Sequence, residues 1–241
     1  MKFVALIPNI FTFLNLFFGC VAIVQGLQGD LYLLAVFVLL GIVCDFFDGF
    51  FARILKVNSK LGIELDSLSD LVTFGITSSI VMFSLLSNSN LIIENNSHLF
   101  LKFIPYLSFI ITIASSYRLA KFNLDHSHDH FKGLPTPANA LFIVFLPFFF
   151  ELEFLTDYSS LLENTIFLLI IILLFSYLLI SSIEMPSFKF NESLNGFFLK
   201  KNLLKSLFIF LSIILIAWLS LGGLSILIIL YIILGLLRIK L

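Results

Sequence analysis

The sequence predicts an all-α fold, a polytopic bundle of about eight transmembrane helices of about 20 residues each. The first observation is composition: 60% of the 241 residues are hydrophobic and 12% are charged, whereas soluble domains are about a quarter charged. The second is a mean hydropathy of +1.11. The third is that the apolar residues form separate stretches near the length that crosses a bilayer. Composition alone therefore predicts an integral membrane protein.

The apolar stretches follow one another along the whole chain, and each predicts one span. They are Phe3–Gln25, Leu31–Ile54, Leu71–Leu86, His98–Leu119, Ala138–Leu155, Thr165–Ser182, Leu203–Leu219 and Leu221–Leu237. The third is short, so we expect its helix to begin in the aqueous loop around Asp66. The last two are joined by Leu219–Gly223, where Gly222 and Gly223 are expected to supply a tight turn.

The basic residues predict the orientation of these spans. With an even number of spans both termini lie on one side, and every one of the 14 Lys and Arg residues except Lys102 falls on that side. The connection from Glu151 to Asn164, on the other side, is acidic and has no basic residue. Because Lys and Arg are enriched in cytoplasmic loops, we expect the termini to face the cytosol.

Four aspartates interrupt the second and third spans near their cytosolic ends. Asp45 and Asp48 are three residues apart, and Asp66 and Asp70 are four apart. Each spacing puts two carboxylates on one helix face. Two antiparallel helices joined by the Lys56–Leu61 loop would point all four at one another. Close anions repel unless cations intervene, and oxygen-only ligands suit Mg²⁺ or Mn²⁺.

Small and basic residues accompany the first aspartate pair. Gly49 and Ala52 remove side-chain bulk, so a ligand or a neighbouring helix can approach the backbone. Arg53 can bind a phosphate through its planar guanidinium. Acids, small residues and an arginine together predict a diphosphate ligand held through divalent ions. The alternative for any single aspartate is a solvated helix end or an ion pair with a nearby lysine.

Residues 45–70 resemble the signature of the CDP-alcohol phosphotransferase family at every position. The pattern is D-x-x-D-G-x-x-A-R, eight further residues, and then G-x-x-x-D-x-x-x-D. The resemblance implies an enzyme that cleaves the diphosphate of a CDP-linked lipid or alcohol, releases CMP and joins the phosphoryl group to a hydroxyl. It also implies a six-helix transmembrane core, usually dimeric, with a site open to the cytosol. We expect that core at residues 1–190 and a C-terminal transmembrane hairpin at 191–241.

Softer resemblances narrow the branch of the family. The stretches "LIPNIFTFLNLFFG", "DSLSDLVTFGI", "YRLAKFN", "FKGLPTPANA" and "MPSFKF" are similar to the bacterial and archaeal branch that makes phosphatidylserine. This implies CDP-diacylglycerol and L-serine as substrates, phosphatidylserine and CMP as products, and a bacterial or archaeal cytoplasmic membrane as the location. It also implies surrounding membrane lipid, a homodimer and no nucleic-acid partner. The same chemistry with glycerol phosphate or inositol phosphate as acceptor is the alternative.

The resemblance assigns roles to the aspartates. Asp45, Asp48 and Asp66 would ligate the divalent ions, in a site for two ions of Mg²⁺ or Mn²⁺. Asp70 would be both a metal ligand and the general base that takes the proton from the attacking hydroxyl.

The resemblance also assigns substrate-binding residues. Gly49 and Arg53, with Ala52 beside them, would contact CDP-diacylglycerol, and Ser59 lies where relatives bind a phosphate oxygen. Asn9 and Thr12, about one helical turn apart, would reach the cytidine diphosphate. For Asn9 and Thr12 the alternative is hydrogen bonding between helices. The full list of substrate-binding candidates is Asn9, Thr12, Gly49, Ala52, Arg53, Ser59 and Arg118.

Arg118 is the leading candidate for the carboxylate of serine, because an amino acid needs such a cation. Other polar residues expected near it are Lys121, Asn123, Lys132 and Lys189. The alternative for each cation is a role in topology or a contact with lipid phosphates. His126, His128 and His130 stand at alternate positions of a polar loop, which is either solvated or a zinc or nickel site.

A transporter is the alternative from a different functional class, because intramembrane acids are its usual mark. A transport path would place polar groups near the middle of the bilayer and often shows two related halves. Here the acids gather at one cytosolic edge and no repeat is apparent. The sequence therefore favours the enzyme.

Overall fold

The computed structural model describes residues 6–57, 59–94, 98–124, 133–152, 155–186 and 221–237, with 212, 215, 218 and 219. Every regular multi-residue element in these ranges is helical, which confirms the all-α prediction. The helices are α1 (Leu6–Leu27), α2 (Leu31–Ile54), α3 (Lys60–Ser87), α4 (Leu101–Leu124), α5 (Thr136–Phe150), α6 (Thr165–Ile180) and α7 (Gly222–Leu236). Shorter helical turns occur at Asn90–Glu94 and Thr156–Glu163.

The length and apolarity of these helices confirm a polytopic membrane protein. Helices α1 to α4 are each long and apolar enough to cross a membrane, and α5 and α7 are shorter apolar helices. Helix α6 adds a fifth candidate if it is counted together with Thr156–Glu163, from which it is bent by 81°. Every predicted span overlaps one of these helices except Leu203–Leu219, which lies largely outside the described residues.

Helix α3 extends well beyond its apolar core, as the sequence led us to expect. It begins at Lys60 because the side chain of Ser59 accepts a hydrogen bond from the backbone N–H of Gly62 at 2.9 Å, which satisfies a free donor of the first turn. The aspartate pair of α3 is therefore helical, and the connection from α2 is shorter than the predicted Lys56–Leu61 loop. Between Leu71 and Ile76 the helix widens into a π-helical turn.

The prediction of a glycine turn before the last helix is wrong. Gly222 and Gly223 are the first residues of α7 rather than a turn. A Cβ atom on Gly222 would lie 2.7 Å from the carbonyl oxygen of Phe148 at the end of α5. These glycines therefore serve close packing between backbones, which small residues allow in membrane helices.

The interior of the bundle forms around α3. Gly19 of α1 lies against Thr73, and a Cβ atom at Gly19 would come within 2.8 Å of the Cα atom of Thr73. Helices α4 and α5 both pack against the π-helical turn Leu71–Ile76, and α5 also packs against α7. Phe74 and Phe145 are fully buried in this core. The packing brings the carboxyl ends of α2 and α4 and the amino ends of α3 and α5 to one end of the bundle.

Candidate active site

Two adjoining cavities open at the end of the bundle where the aspartates lie. The larger has a volume of about 860 Å³ and is bounded by α2, α3, α4 and the start of α5. The smaller, of about 120 Å³, lies between α1, α2 and the start of α3. Asp48, Gly49, Ile63 and Asp66 line both cavities. The two cavities therefore adjoin at these four residues.

The structure brings the four predicted aspartates together in the larger cavity. Carboxylate oxygens of Asp45, Asp48 and Asp66 lie within 4.8 Å of one another, and Asp45 is also within hydrogen-bonding range of Asp70. The spacings of three and four residues therefore bring the two pairs of carboxylates together, as predicted. At that separation two unit charges repel by about 3 to 4 kcal/mol at an effective dielectric constant of about 20.

The donor set fits a divalent metal ion. All the clustered ligands are carboxylate oxygens, the type that hard cations such as Mg²⁺ prefer. Oδ1 of Asp66 is buried and makes no hydrogen bond within the described residues, although a buried acceptor without a partner costs about 1 to 3 kcal/mol. A cation among these oxygens would offset both that cost and the mutual repulsion of the carboxylates.

Helix α1 holds two of the aspartates in place. Thr12 donates a hydrogen bond from Oγ1 to Oδ2 of Asp48 at 2.9 Å. Asn15 donates from Nδ2 to Oδ1 of Asp70 at 3.4 Å. The contact that the structure shows for Thr12 is thus the helix-to-helix hydrogen bond that the sequence left as an alternative. The sequence assigned no role to Asn15, because amides inside membrane helices are usually explained by helix packing.

The smaller cavity is lined by most of the residues that the sequence predicts to bind CDP-diacylglycerol. Asn9, Thr12, Gly49, Ala52 and Ser59 all line it. Among the described residues, a Cβ atom at Gly49 would meet only Nη1 of Arg53, at 3.9 Å, so the space beside this glycine is open in the described part of the chain. The absence of a side chain at Gly49 therefore leaves room for a ligand and is not required by packing.

Gly62 of the signature has a different explanation. Its Cβ atom would lie 2.8 Å from Oγ of Ser59 and 3.3 Å from Oδ1 of Asn9. The glycine keeps the floor of the smaller cavity clear and lets Ser59 cap α3. Ser59 therefore has a structural role beside the predicted contact with a phosphate oxygen.

Among the described residues, three cationic side chains line the larger cavity: Arg53, Lys60 and Arg118. Arg118, in α4, is close enough to Asp70 for electrostatic interaction, and its Nε atom has no hydrogen-bond partner in the described ranges. Nearby, Asn123 donates from Nδ2 to Oγ of Ser67 at 3.0 Å, which ties α4 to α3.

Some predicted residues lie outside the described part of the chain. These are Lys132, Lys189, His126, His128 and His130. The "GLPTPANA" stretch is described, and Pro135, Thr136 and Pro137 from it line the larger cavity opposite the aspartates.

Several residues of the site were not found from the sequence. Glu64, Ser67 and Thr136 line the larger cavity, and the π-helical turn Leu71–Ile76 follows directly after Asp70. Hydroxyls are common in membrane helices, so Ser67 and Thr136 give no distinguishing signal in the sequence. A π-helical turn depends on packing around it and is frequent at functional sites.

This chain is similar to known proteins over most of its length. A family model described as CDP-alcohol phosphatidyltransferase matches residues 5–178, which include every aspartate of the cluster and the start of α5. The chain is 34% identical over 185 residues to the CDP-diacylglycerol–serine O-phosphatidyltransferase of Bacillus subtilis, covering 76% of this chain and 91% of the relative. It is 31% identical over 191 residues to the protein of the same name from Helicobacter pylori, covering 76% and 73%. A protein of that name from Methanocaldococcus jannaschii is 27% identical over 182 residues, covering 76% and 74%.

Proposed function

The chain belongs to the CDP-alcohol phosphatidyltransferase family, and we propose that it transfers the phosphatidyl group of CDP-diacylglycerol to the hydroxyl of L-serine, giving phosphatidylserine and CMP. The observation that carries the proposal is the larger cavity. It joins the aspartates of the family signature to a wall made by "YRLAKFN" and "GLPTPANA". Relatives named as serine phosphatidyltransferases align with this chain over 76% of its length.

The aspartates would hold Mg²⁺ or Mn²⁺, as a pair of ions. Asp45, Asp48 and Asp66 have the mutual spacing for such ligands, and Asp70 adjoins them through Asp45. Bound divalent ions would neutralise charge on the diphosphate and make CMP a better leaving group.

The smaller cavity binds the cytidine diphosphate end of the donor. Gly49 and Ala52 leave space beside α2, while Asn9 and Ser59 offer hydrogen-bonding groups from the opposite wall. Arg53 lies at the boundary with the larger cavity, where its guanidinium can bind a phosphate oxygen in a bidentate manner. These residues would orient the diphosphate with its lipid-bearing phosphorus toward the larger cavity.

The larger cavity binds the acceptor and contains the base. Asp70 is 8% exposed and lies across from Arg118. Arg118 binds the carboxylate of serine, which brings the serine hydroxyl to the Asp70 carboxylate. Asp70 takes the hydroxyl proton, the oxygen bonds to the phosphatidyl phosphorus, and the bond from that phosphorus to CMP breaks.

The assembly and location follow from the same proposal. We infer a homodimer in the cytoplasmic membrane of a bacterium or archaeon, with the termini and both cavities on the cytosolic side. Arg53, Lys60, Arg118 and Lys121 all lie at the end of the bundle that holds the cavities, and Lys102 lies at the far end of α4. That distribution supports the orientation through the preference of basic residues for the cytosol.

An acceptor panel tests the function. Purified protein is incubated with CDP-diacylglycerol, Mg²⁺ or Mn²⁺, and one of L-serine, glycerol 3-phosphate or inositol phosphate, and CMP and lipid products are measured. We expect phosphatidylserine and equimolar CMP with L-serine. Product from glycerol 3-phosphate or inositol phosphate but not from L-serine would refute the acceptor and leave the family chemistry in place.

A further inference from the structure

Thr136 in the wall of the larger cavity and Asn139 behind that wall are buried polar residues whose side chains have no hydrogen-bond partner among the described residues. Thr136 lines the cavity and is 1% exposed, and its Oγ1 makes no hydrogen bond in the described part of the chain. Asn139, one helical turn deeper on α5, is fully buried, and neither atom of its side-chain amide is hydrogen-bonded there. Buried polar side chains are hydrogen-bonded in the large majority of cases, and three such atoms lie here within one helical turn beside a cavity, where a ligand can complete them.

These groups share a helix face and a neighbour. Residues three apart on a helix lie on the same side, so Thr136 and Asn139 follow one another from the cavity toward the core. Helix α5 packs here against the π-helical turn Leu71–Ile76 that follows Asp70. Helix α4 packs on the same turn and contributes Arg118, whose Nε is also without a partner among the residues described.

We propose that Thr136 and Asn139 form the pocket for the ammonium and carboxylate groups of the acceptor, beside Arg118. The proposal rests on the proposed function and names the residues that select an amino acid. A side-chain amide both donates and accepts, and so does a hydroxyl. One such pair can therefore serve the carboxylate through its N–H or O–H and the ammonium through its oxygen.

The charge on the side of the cavity made by α4 and α5 also favours a zwitterion, because Arg118 is its one described cation and Arg53 and Lys60 line the cavity from α2 and α3. Serine brings one ammonium and one carboxylate, so its net charge is close to zero and Arg118 alone can pair with its carboxylate. Thr136 and Asn139 are uncharged, whereas a site for a phosphate-bearing acceptor commonly uses clustered arginines. Neutral groups that donate and accept are the chemistry that distinguishes an amino acid from a sugar phosphate.

The test uses two nearly isosteric variants that remove the polar atoms, Thr136→Val and Asn139→Leu. Initial rates are measured with L-serine varied at saturating CDP-diacylglycerol, and then with CDP-diacylglycerol varied at saturating L-serine. We expect the KM for L-serine to rise on the order of 10-fold to 100-fold, the value of one or two hydrogen bonds to a charged group. The KM for CDP-diacylglycerol should stay within about twofold, because the donor occupies the other cavity.

Matched controls separate recognition from general damage. Thr136→Ser keeps the hydroxyl and should restore most of the affinity for L-serine. Ser176→Ala removes another buried hydroxyl that has no partner among the described residues, in α6 and away from the cavity, and should leave both KM values unchanged. Ethanolamine lacks the carboxylate and 3-hydroxypropanoate lacks the ammonium. The wild-type protein should discriminate against both, and the two test variants should discriminate less.

Each result has a definite meaning. If Thr136→Val and Asn139→Leu fold and keep the wild-type KM for L-serine, the pocket assignment is refuted while the proposed function stands. If the wild-type protein makes no phosphatidylserine, both are refuted. Should either variant fail to fold, Thr136→Cys replaces it, and L-serine must slow the reaction of that thiol with a maleimide. Labelling that is indifferent to L-serine would refute the pocket.

Discussion

Asp70 interacts electrostatically with Arg118 of α4. Like Asp48, it is buried and accepts a hydrogen bond from α1, in its case from Asn15 at 3.4 Å. The carboxylate oxygens that lie within 4.8 Å of one another belong to Asp45, Asp48 and Asp66. The position of Asp70 beside Asp45 and near Arg118 supports the proposal that it is the general base.

We predict that Asp70→Asn lowers turnover by at least ~10²-fold, the low end of what a general base contributes. Asp66→Asn should have an effect of the same size, because it removes a metal ligand. Turnover is measured as CMP release at saturating metal. The control is Asp30→Asn: Asp30 caps α2 through Leu33 N–H at 2.8 Å, and asparagine caps equally well. Near-wild-type turnover of either active-site variant would remove that aspartate from the mechanism.

Metal removal gives a second prediction for the aspartate cluster. EDTA should abolish activity, and Mg²⁺ or Mn²⁺ should restore it, because the clustered ligands are all carboxylate oxygens. Asp45→Asn should raise the Mg²⁺ concentration that gives half-maximal activity, whereas Arg53→Ala should raise the KM for CDP-diacylglycerol instead. Full activity after exhaustive chelation would contradict the assignment of these carboxylates as ligands.

Two glycines of α2 give a third prediction, because their surroundings differ. A methyl group at Gly49 would enter open space, whereas one at Gly41 would lie 2.5 Å from Cγ2 of Thr73 and 2.9 Å from Oδ1 of Asn15. Gly49→Ala should therefore keep or raise thermal stability, since alanine is favoured over glycine in a helix by about 1 kcal/mol. Its KM for CDP-diacylglycerol should rise by about tenfold, because overpacking costs about 1 to 3 kcal/mol.

Gly41→Ala is the matched substitution and should show the opposite pattern. The added methyl group forces α2 away from α3, so the melting temperature should fall. For both variants the melting temperature is measured from the loss of monodisperse protein after heating. The KM for CDP-diacylglycerol is measured from initial rates. If Gly49→Ala retains the wild-type KM, the open space beside Gly49 does not hold the donor.

At the scale of elements, the sequence predicted the helices better than their ends. Apolar length located α1, α2 and α6 to within a few residues, because crossing a membrane imposes a minimum length on a helix. The start of α3 at Lys60 depends on the capping of Gly62 N–H by Ser59, and helix boundaries are the least predictable feature of a sequence. The π-helical turn Leu71–Ile76 arises from tertiary packing and has no local signal.

The same limit applies to the site. The four aspartates and the seven substrate-binding candidates all line one of the two cavities, because a dense spacing pattern fixes the faces of two adjacent helices. Asn15, Thr136 and Asn139 were not proposed, because their significance lies in which hydrogen bonds they make or lack. Hydrogen-bond partners from distant helices cannot be read from spacing along one chain.

The amino end of α3 gives a prediction that separates two roles of Ser59. As the N-cap it stabilises α3, and as a residue of the smaller cavity it would face the diphosphate. Ser59→Asp keeps a good cap and adds a negative charge beside the donor. We expect it to retain thermal stability but to raise the KM for CDP-diacylglycerol. Ser59→Ala removes the cap, which should cost about 1 kcal/mol of stability.

Thermal stability and donor KM are measured on the same preparations of both variants. Ser59→Thr, which keeps a neutral hydroxyl and the cap, is the control and should resemble the wild-type protein. A Ser59→Asp variant with unchanged donor KM would show that the diphosphate does not approach the start of α3.

Over the whole molecule, polar function and apolar surface are separated. Large apolar side chains such as Phe13, Phe17, Leu173 and Tyr177 are exposed on the outer faces of α1 and α6, where a membrane protein contacts lipid. The described cations gather mainly at the end of the bundle that contains both cavities. This asymmetry supports a site that opens to the cytosol, where a water-soluble acceptor and CMP can exchange freely.

Labelling the two ends of α4 tests that orientation. Lys102 and Lys121 are both exposed and lie near opposite ends of this helix, about 30 Å apart at 1.5 Å per residue. In intact cells a membrane-impermeant maleimide should label Lys102→Cys but label Lys121→Cys only after permeabilisation. The parent protein, whose Cys20 and Cys44 lie within α1 and α2, gives the background. The reverse pattern would place the aspartates and both cavities outside the cytosol, and the proposed orientation would have to be inverted.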